Sequence, residues 1–252
     1  MVTRFFRRRQ APNAARSLLR AALIEALQSP ACALCQIAQQ NNPRYVETLL
    51  DEAVVDVGQR DDWRAARGLC GWHAWMAAKT PQSAGSLAIL YHDVLGHDLS
   101  QIGPVAAPHG NGRQRRPQRR FTHRLRAWLD SWQSGPTCPA CRLWLEQERL
   151  YVQVLLNDWH EPALAQAFAA SVGLCWPHVR RLAAWQAGHD NLPAVLKIQR
   201  ACLESLQRDL ESFIRKLDYR FANEPYGREA DAWRRAVSLY AGAAGWLGST
   251  PP

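Results

Sequence analysis

Six of the seven cysteines and two of the eight histidines in this chain fall into one pattern that occurs twice. The first copy is Cys32-x-x-Cys35, 34 intervening residues, then Cys70-x-x-His73. The second is Cys138-x-x-Cys141, 33 intervening residues, then Cys175-x-x-His178. A gap of two residues lets both side chains of a pair reach one ion, and a second such pair completes a tetrahedron. Cysteine and histidine three apart at a helix start project from the same side. The positive end of the helix dipole also favours the thiolate that a metal requires. The chemistry these residues offer is therefore a Cys3His metal site in each repeat. Cys32, Cys35, Cys70 and His73 form the first set, and Cys138, Cys141, Cys175 and His178 the second; the duplication favours each repeat closing its own site, and a domain-exchanged arrangement would use the same ligands.

Other readings of cysteine compete. Cys202 stands alone on an apolar stripe and reads as a small buried hydrophobe. Disulfides among the other six would leave both histidines unexplained, and they are unusual in a chain without an export signal. A thioredoxin-like redox pair needs a strand ahead of its Cys-x-x-Cys, and no strand pattern precedes either pair. Zinc, one ion per repeat, is the default for such ligands and contributes folding energy outright. Iron–sulfur clusters, held by thiolates with histidine in place of some, are the alternative. Trp72, Trp75, Trp144 and Trp176 lie beside the ligands in sequence and would shield either centre from water.

The ligands belong to a longer self-similarity. Leu19 to Cys35 (LRAALIEALQSPACALC) matches Leu125 to Cys141 (LRAWLDSWQSGPTCPAC). YVETLL from Tyr45 matches YVQVLL from Tyr151, and GLCGWH from Gly68 matches GLCWPH from Gly173. The offsets of 106, 106 and 105 residues are those of a diverged tandem duplication. Segments rich in Ala, Leu and Arg dominate both copies, and alternating β-branched runs are missing. The expected fold is all-α: two tandem-duplicated helical units, each with a Cys3His site, followed by a C-terminal amphipathic helix. The segments read as a basic N-terminus (1–15), unit one (16–100), a Gly/Pro/Arg-rich linker (101–123), unit two (124–220) and a C-terminal helix and tail (221–252).

Within unit two, a helix over about 124–133 leads to the Cys138 turn, and a longer one carries Trp144, Tyr151, Leu155 and Trp159 on one stripe. Pro162 suits a first helical turn, Gly173 a stop, and Cys175 opens the next helix. A final long helix from Pro193 carries the stripe Val195, Ile198, Cys202, Leu206, Leu210, Phe213, Leu217. Unit one follows the same plan, with Pro43 expected to interrupt its second helix. Past Arg220, an apolar face of Ala230, Trp233, Val237 and Tyr240 is expected to pack across the repeats or onto a partner.

The net charge of +9 resides in two segments. Residues 1–24 hold six Arg and no acid, and residues 99–129 hold seven more, again with no acid. The remainder is mildly acidic. Arg113, Arg115, Arg116, Arg119 and Arg120 are candidates for nucleic-acid contact, although only three residues are Lys and no base-reading element is visible. The six other histidines (92, 97, 109, 123, 160, 189) have no counterparts across the repeat. His92 and His97, near Asp93 and Asp98, suggest a further metal centre, but a surface role fits them better. Ser-His-Asp order, phosphate-binding glycine loops and paired carboxylates are missing, so nothing commits the chain to catalysis. No apolar run approaches the roughly 20 residues of a membrane span. The N-terminus lacks the features of a secretory signal, so the cytoplasm is the default compartment, with an Arg-rich, acid-poor transit peptide as the lesser alternative.

The Cys-Pro-x-Cys turn, the Gly-Leu-Cys-x-x-His motif, Lys216-Leu-Asp-Tyr-Arg220 and Trp233-Arg-Arg-Ala236 together resemble an uncharacterised bacterial and archaeal family. The resemblance spans about Leu18 to Gly242. It departs at Cys32-Ala-Leu-Cys35, where the turn lacks proline, implying weaker binding at that pair. It supports the ligand set and helical fold and implies no activity. Three functions remain in play: a zinc-braced scaffold that binds a protein partner, an iron–sulfur redox or sensor protein, and a nucleic-acid-binding protein.

Overall fold

Helix formers fill this chain, and what divides it into separate helices is a set of local stops and caps. The computed structural model describes residues 13–102, 126, 130, 138–221 and 223–243, and among these it contains helices and no strand. The helices are α1 (Asn13–Leu27), α2 (Ala33–Val55), α3 (Val57–Ala65), α4 (Gly71–Lys79) and α5 (Ala84–Ile102). After them come α6 (Pro139–Asn157), α7 (Pro162–Ala170), α8 (Trp176–Gln186), α9 (Leu192–Lys216) and α10 (Ala232–Ala241). Short 3-10 turns occupy Tyr219–Phe221 and Arg228–Asp231. The all-α expectation holds. The linker and Arg113, Arg115, Arg116, Arg119 and Arg120 lie outside the described residues, as does most of the helix expected over 124–133.

Two boundaries show the local logic. Asp56 ends α2 and caps α3, its carboxylate accepting the Gln59 backbone N–H at 2.7 Å. Pro162 sits in the first turn of α7, where its missing N–H costs nothing. Pro43 departs from expectation: α2 runs through it as one 23-residue helix. The ring lies on the exposed side, while Val46, Leu49, Leu50 and Ala53 of the following turns are buried. That packing outweighs the hydrogen bond the proline removes.

The helices form two compact units, and neither coincides with a sequence repeat. One joins the chain up to Asn41 with the chain from Leu145; the other is Asn42–Trp144. In the first, α1 packs on α7, and α9 contacts both α7 and α10. Leu23 and Leu27 of α1, Leu155 and Leu156 of α6, and Leu164 and Phe168 of α7 are buried. Arg16 and Arg20 of α1 pair with the buried Asp158, and Arg20 also reaches Glu161 at 3.0 Å. Lys216, from the late motif, donates to Pro225 O at 2.6 Å and to the Glu229 carboxylate. It thereby ties the end of α9 to the turn that launches α10.

α10 does not turn its expected face onto the described helices. It packs on α8 and α9 through buried Ala232 and partly buried Arg235, Ala236 and Leu239. Trp233, Val237 and Tyr240 are 47%, 61% and 71% exposed. Arg235 decides this, because its bonds to Asp209, Asp231 and the Arg228 carbonyl need the inner face.

In the second unit, Val46, Leu49, Leu50 and Ala53 of α2 cluster with Trp63, Ala77, Leu90, Val94, Cys138 and Ala140. Trp63, fully buried, meets the Tyr91 ring edge-on at 5.8 Å.

Candidate metal centres

All eight predicted ligands occupy the same two places on four helices. Cys32, Cys70, Cys138 and Cys175 each immediately precede a helix, and each lends its carbonyl to the first i→i+4 hydrogen bond. Cys35, His73, Cys141 and His178 are the third residues of α2, α4, α6 and α8. Side chains at these positions converge on the space in front of the helix, where unpaired N–H groups favour negative charge. Cys70 and Cys175 share nearly one backbone conformation, with φ of −62° and −70° and ψ of 163° and 156°.

The loop ahead of these two cysteines is shaped by glycine. Gly68 and Gly173 have φ of +84° and +76°, and a Cβ on Gly173 would lie 2.7 Å from Gln199 Oε1. That close approach has a purpose. Buried Gln199 accepts the Leu174 N–H at 2.8 Å and donates to the Leu174 carbonyl at 3.0 Å, clamping the residue before Cys175. Gln199 was invisible as a site residue in the sequence, where it reads as one polar position on a long helix.

Which pairs meet is the main correction. Each repeat does not close its own site. Cys32 and Cys35 join Cys175 and His178, and Cys70 and His73 join Cys138 and Cys141. In both groups, all ligand atoms lie within 4.8 Å of one another. Each group falls inside one compact unit. The cause is packing: α1 docks on α7, so the start of α2 is delivered to the start of α8 rather than to α4.

In the first centre, His178 Nδ1 lies 3.0, 3.3 and 3.5 Å from the sulfurs of Cys175, Cys32 and Cys35. Cys35 and Cys175 are 3.7 Å apart. In the second, His73 Nδ1 lies 3.3 Å from both Cys70 and Cys141 and 3.7 Å from Cys138, with Cys70 and Cys141 3.7 Å apart. These sulfur separations are far beyond a disulfide bond, and all the cysteines are free thiols. Two sets of four N and S donors, each gathered around one point, could each hold a metal ion.

In each centre one thiol is held down, another is pushed up, and the histidine is carried up. Burial raises the Cys32 thiol, yet contacts with Cys175, Cys35 and His178 hold it well below its ordinary range. Hydrogen bonding with Cys175 and Cys32, together with burial, pushes Cys35 far up. His178 is lowered by burial but carried up to about 10 by the Cys32 thiolate, Cys175 and Glu148. The second centre repeats this. Cys138 and Cys141 pull Cys70 strongly down, while His73, despite burial, rises to about 9 beside Cys138 and Cys70. A thiolate–imidazolium arrangement is one that a divalent cation enters by displacing protons.

Around the first centre stand groups the sequence did not advertise. Glu148, fully buried on α6, places Oε1 3.5 Å from His178 Nε2 and accepts from Arg181 Nη1 at 2.5 Å through its other oxygen. The Ala243 N–H donates to Cys35 sulfur at 3.4 Å. Of the tryptophans expected to shield the ligands, Trp144 is buried and Trp72 partly so, but Trp75 is 72% exposed and Trp176 faces solvent at its edge. The proline-free turn Cys32-Ala-Leu-Cys35 belongs to the more enclosed centre. Its four ligands are all buried, whereas Cys70 and Cys141 are only partly so.

The remaining candidates gather no further cluster among the described residues. His92 and His97 are exposed, and their acidic neighbours are engaged elsewhere, Asp93 by Arg64 at 2.9 Å and Asp98 by Arg67 at 3.7 Å. His160 is exposed, and His189 Nε2 lies 3.0 Å from Asn157 Oδ1. Cys202 is half-buried, its thiol raised by burial and 3.5 Å from the Ser171 carbonyl, as befits a packing residue. Among the described residues, no helix is long and apolar enough to cross a membrane.

Comparison with known proteins agrees with the extent of the resemblance drawn from the motifs. No curated protein and no solved structure matches the chain. A family model does, over residues 17–245, nearly the whole described length. The chain belongs to DUF6062, a family of unknown function.

Proposed function

We propose that the chain is a helical scaffold braced by two structural zinc ions, one in each Cys3His centre. The observation that carries this is the spacing of the donors. Zn–S bonds of about 2.3 Å and Zn–N bonds of about 2.0 Å put tetrahedral S–S edges near 3.8 Å and S–N edges near 3.5 Å. The 3.7 Å Cys70–Cys141 sulfur pair and the 3.3–3.7 Å sulfur–nitrogen distances of the second centre fall on those values. The first centre is slightly tighter at its shortest contact, 3.0 Å. An iron–sulfur cluster distributes its ligands over several irons and spreads the sulfurs wider. Four protein donors per ion also leave no open position for substrate, which favours bracing over catalysis.

The outward stripe of Trp233, Val237 and Tyr240 supports the scaffold reading, since large side chains held in solvent on a packed helix offer an anchor for a protein partner. Reduced, clustered thiols suit a reducing compartment such as the cytoplasm. The test is metal content and the visible spectrum of full-length protein purified without oxygen. Two zinc ions per chain and no visible absorption are expected; iron with acid-labile sulfide and a coloured protein would overturn the proposal.

A further inference from the structure

The two centres share their ligands but not their surroundings. The offset of 106 residues that relates Cys32 to Cys138 and Cys35 to Cys141 also relates Asn42 to Glu148. The offset of 105 that relates His73 to His178 also relates Met76 to Arg181. The carboxylate and guanidinium near His178 thus have an amide and a thioether as their sequence counterparts. The exchange is paired: had only one partner changed, a buried charge would stand uncompensated, at a cost of several kcal/mol.

The consequences are visible in the structure. His178 Nε2 has the Glu148 carboxylate at 3.5 Å, and Arg181 holds that carboxylate in place. His178 Nε2 and Glu148 Oε1 meet as an ion pair without a hydrogen bond, whereas His73 Nε2 and Asn42 Oδ1, the latter in a side chain 2% exposed, are buried with neither among the described residues. A histidine ligand oriented by a carboxylate keeps one tautomer and is the more basic donor, and losing such a partner commonly costs 10–100-fold in metal affinity. Burial points the same way. All four ligands of the first centre are buried, while Cys70 and Cys141 of the second are partly exposed to an attacking chelator or thiol.

From this we infer that the centres are unequal by construction. Glu148 acts as a positioning residue that makes the Cys32–Cys35–Cys175–His178 centre the slowly exchanging one. The Cys70–His73–Cys138–Cys141 centre gives up its metal first and serves as the exchangeable site. The inference rests on the reading that each centre holds one zinc ion.

The test uses the full chain loaded with two zinc ions and challenged with a chromogenic zinc chelator. Release occurs in two phases of equal amplitude, separated by about tenfold or more in rate. Alkylation of thiols after the first phase, followed by peptide mass mapping, finds Cys70, Cys138 and Cys141 modified and Cys32, Cys35 and Cys175 protected. Glu148→Gln accelerates the slow phase about 10–100-fold and leaves the fast phase unchanged. The reciprocal pair Asn42→Glu with Met76→Arg slows the fast phase. If Glu148 were only a packing residue, Glu148→Gln would lower the melting temperature without changing the ratio of the two rates. A reversed labelling order, or one phase with all six thiols labelled together, overturns the inference while leaving two-zinc binding intact. Failure of the chain to take up two zinc ions overturns both.

Discussion

The exchanged pairing of the ligands is the structural result most open to attack, and a set of paired substitutions tests it directly. Stability is a poor discriminator. A cross-link between Cys35 and Cys175, 140 residues apart, restrains the unfolded chain by about 5 kcal/mol on a loop-entropy estimate. The same estimate for a link within one repeat, Cys35 to Cys70, gives about 4 kcal/mol. The two arrangements differ by about 1 kcal/mol, within the scatter of such estimates. Zinc stoichiometry separates them cleanly. Cys35→Ser alone should leave one zinc per chain after dialysis against a competing chelator. Adding His178→Gln damages the centre already lost, so the double variant still carries one zinc. Adding His73→Gln instead damages the other centre, and that double variant carries none. If each repeat closed its own site, the two double variants would trade places. Finding no zinc in the Cys35→Ser/His178→Gln protein and one in the Cys35→Ser/His73→Gln protein would refute the pairing and the packing of α1 on α7 that produces it.

Gly173→Ala forces a side chain into a φ of +76° and drives Cβ to 2.7 Å from Gln199 Oε1. It should cost about 1–2 kcal/mol for the left-handed conformation alone, read as a lowered melting temperature, and an unchanged melt counts against the clamp. Glu229 accepts the Gly227 N–H at 3.0 Å and pairs with Lys216, which together hold its carboxyl down at about 2. A depressed acid contributes stability above its unfolded value of about 4.3 and loses it as pH falls toward 2. Denaturant melts of Glu229→Gln should therefore be weaker than wild type at pH 7 and converge on it near pH 2; parallel curves would dismiss the pair. Asp56→Ala removes the bond to the Gln59 N–H and should destabilise by about 1 kcal/mol in chemical denaturation, with zinc content unchanged at two per chain.

The ligands were legible in the sequence because their chemistry is local. A cysteine ahead of a helix and a cysteine or histidine three residues later converge by helix geometry alone, whatever the rest of the chain does. The same holds for the cap at Asp56 and the proline start of α7, neither of which needs a distant partner. Helical content followed from composition and period, and only the continuity of α2 through Pro43 went against a local rule. What the sequence left open is whatever depends on residues far apart. Intervening stretches of 34 and 33 residues are long enough for a Cys-x-x-Cys to meet either Cys-x-x-His pair, and only the docking of α1 on α7 selects one. Glu148 and Gln199 look like ordinary polar positions until packing buries them against His178 and Leu174. The outward turn of Trp233, Val237 and Tyr240 has the same origin. An amphipathic pattern marks two faces, but the inner one is decided by contacts, here by the Arg235 bonds to Asp209 and Asp231. Sequence determined what each short segment presents, and tertiary structure determined to whom, because pairing between distant segments is set by the burial of whole helices rather than by the spacing of a few residues.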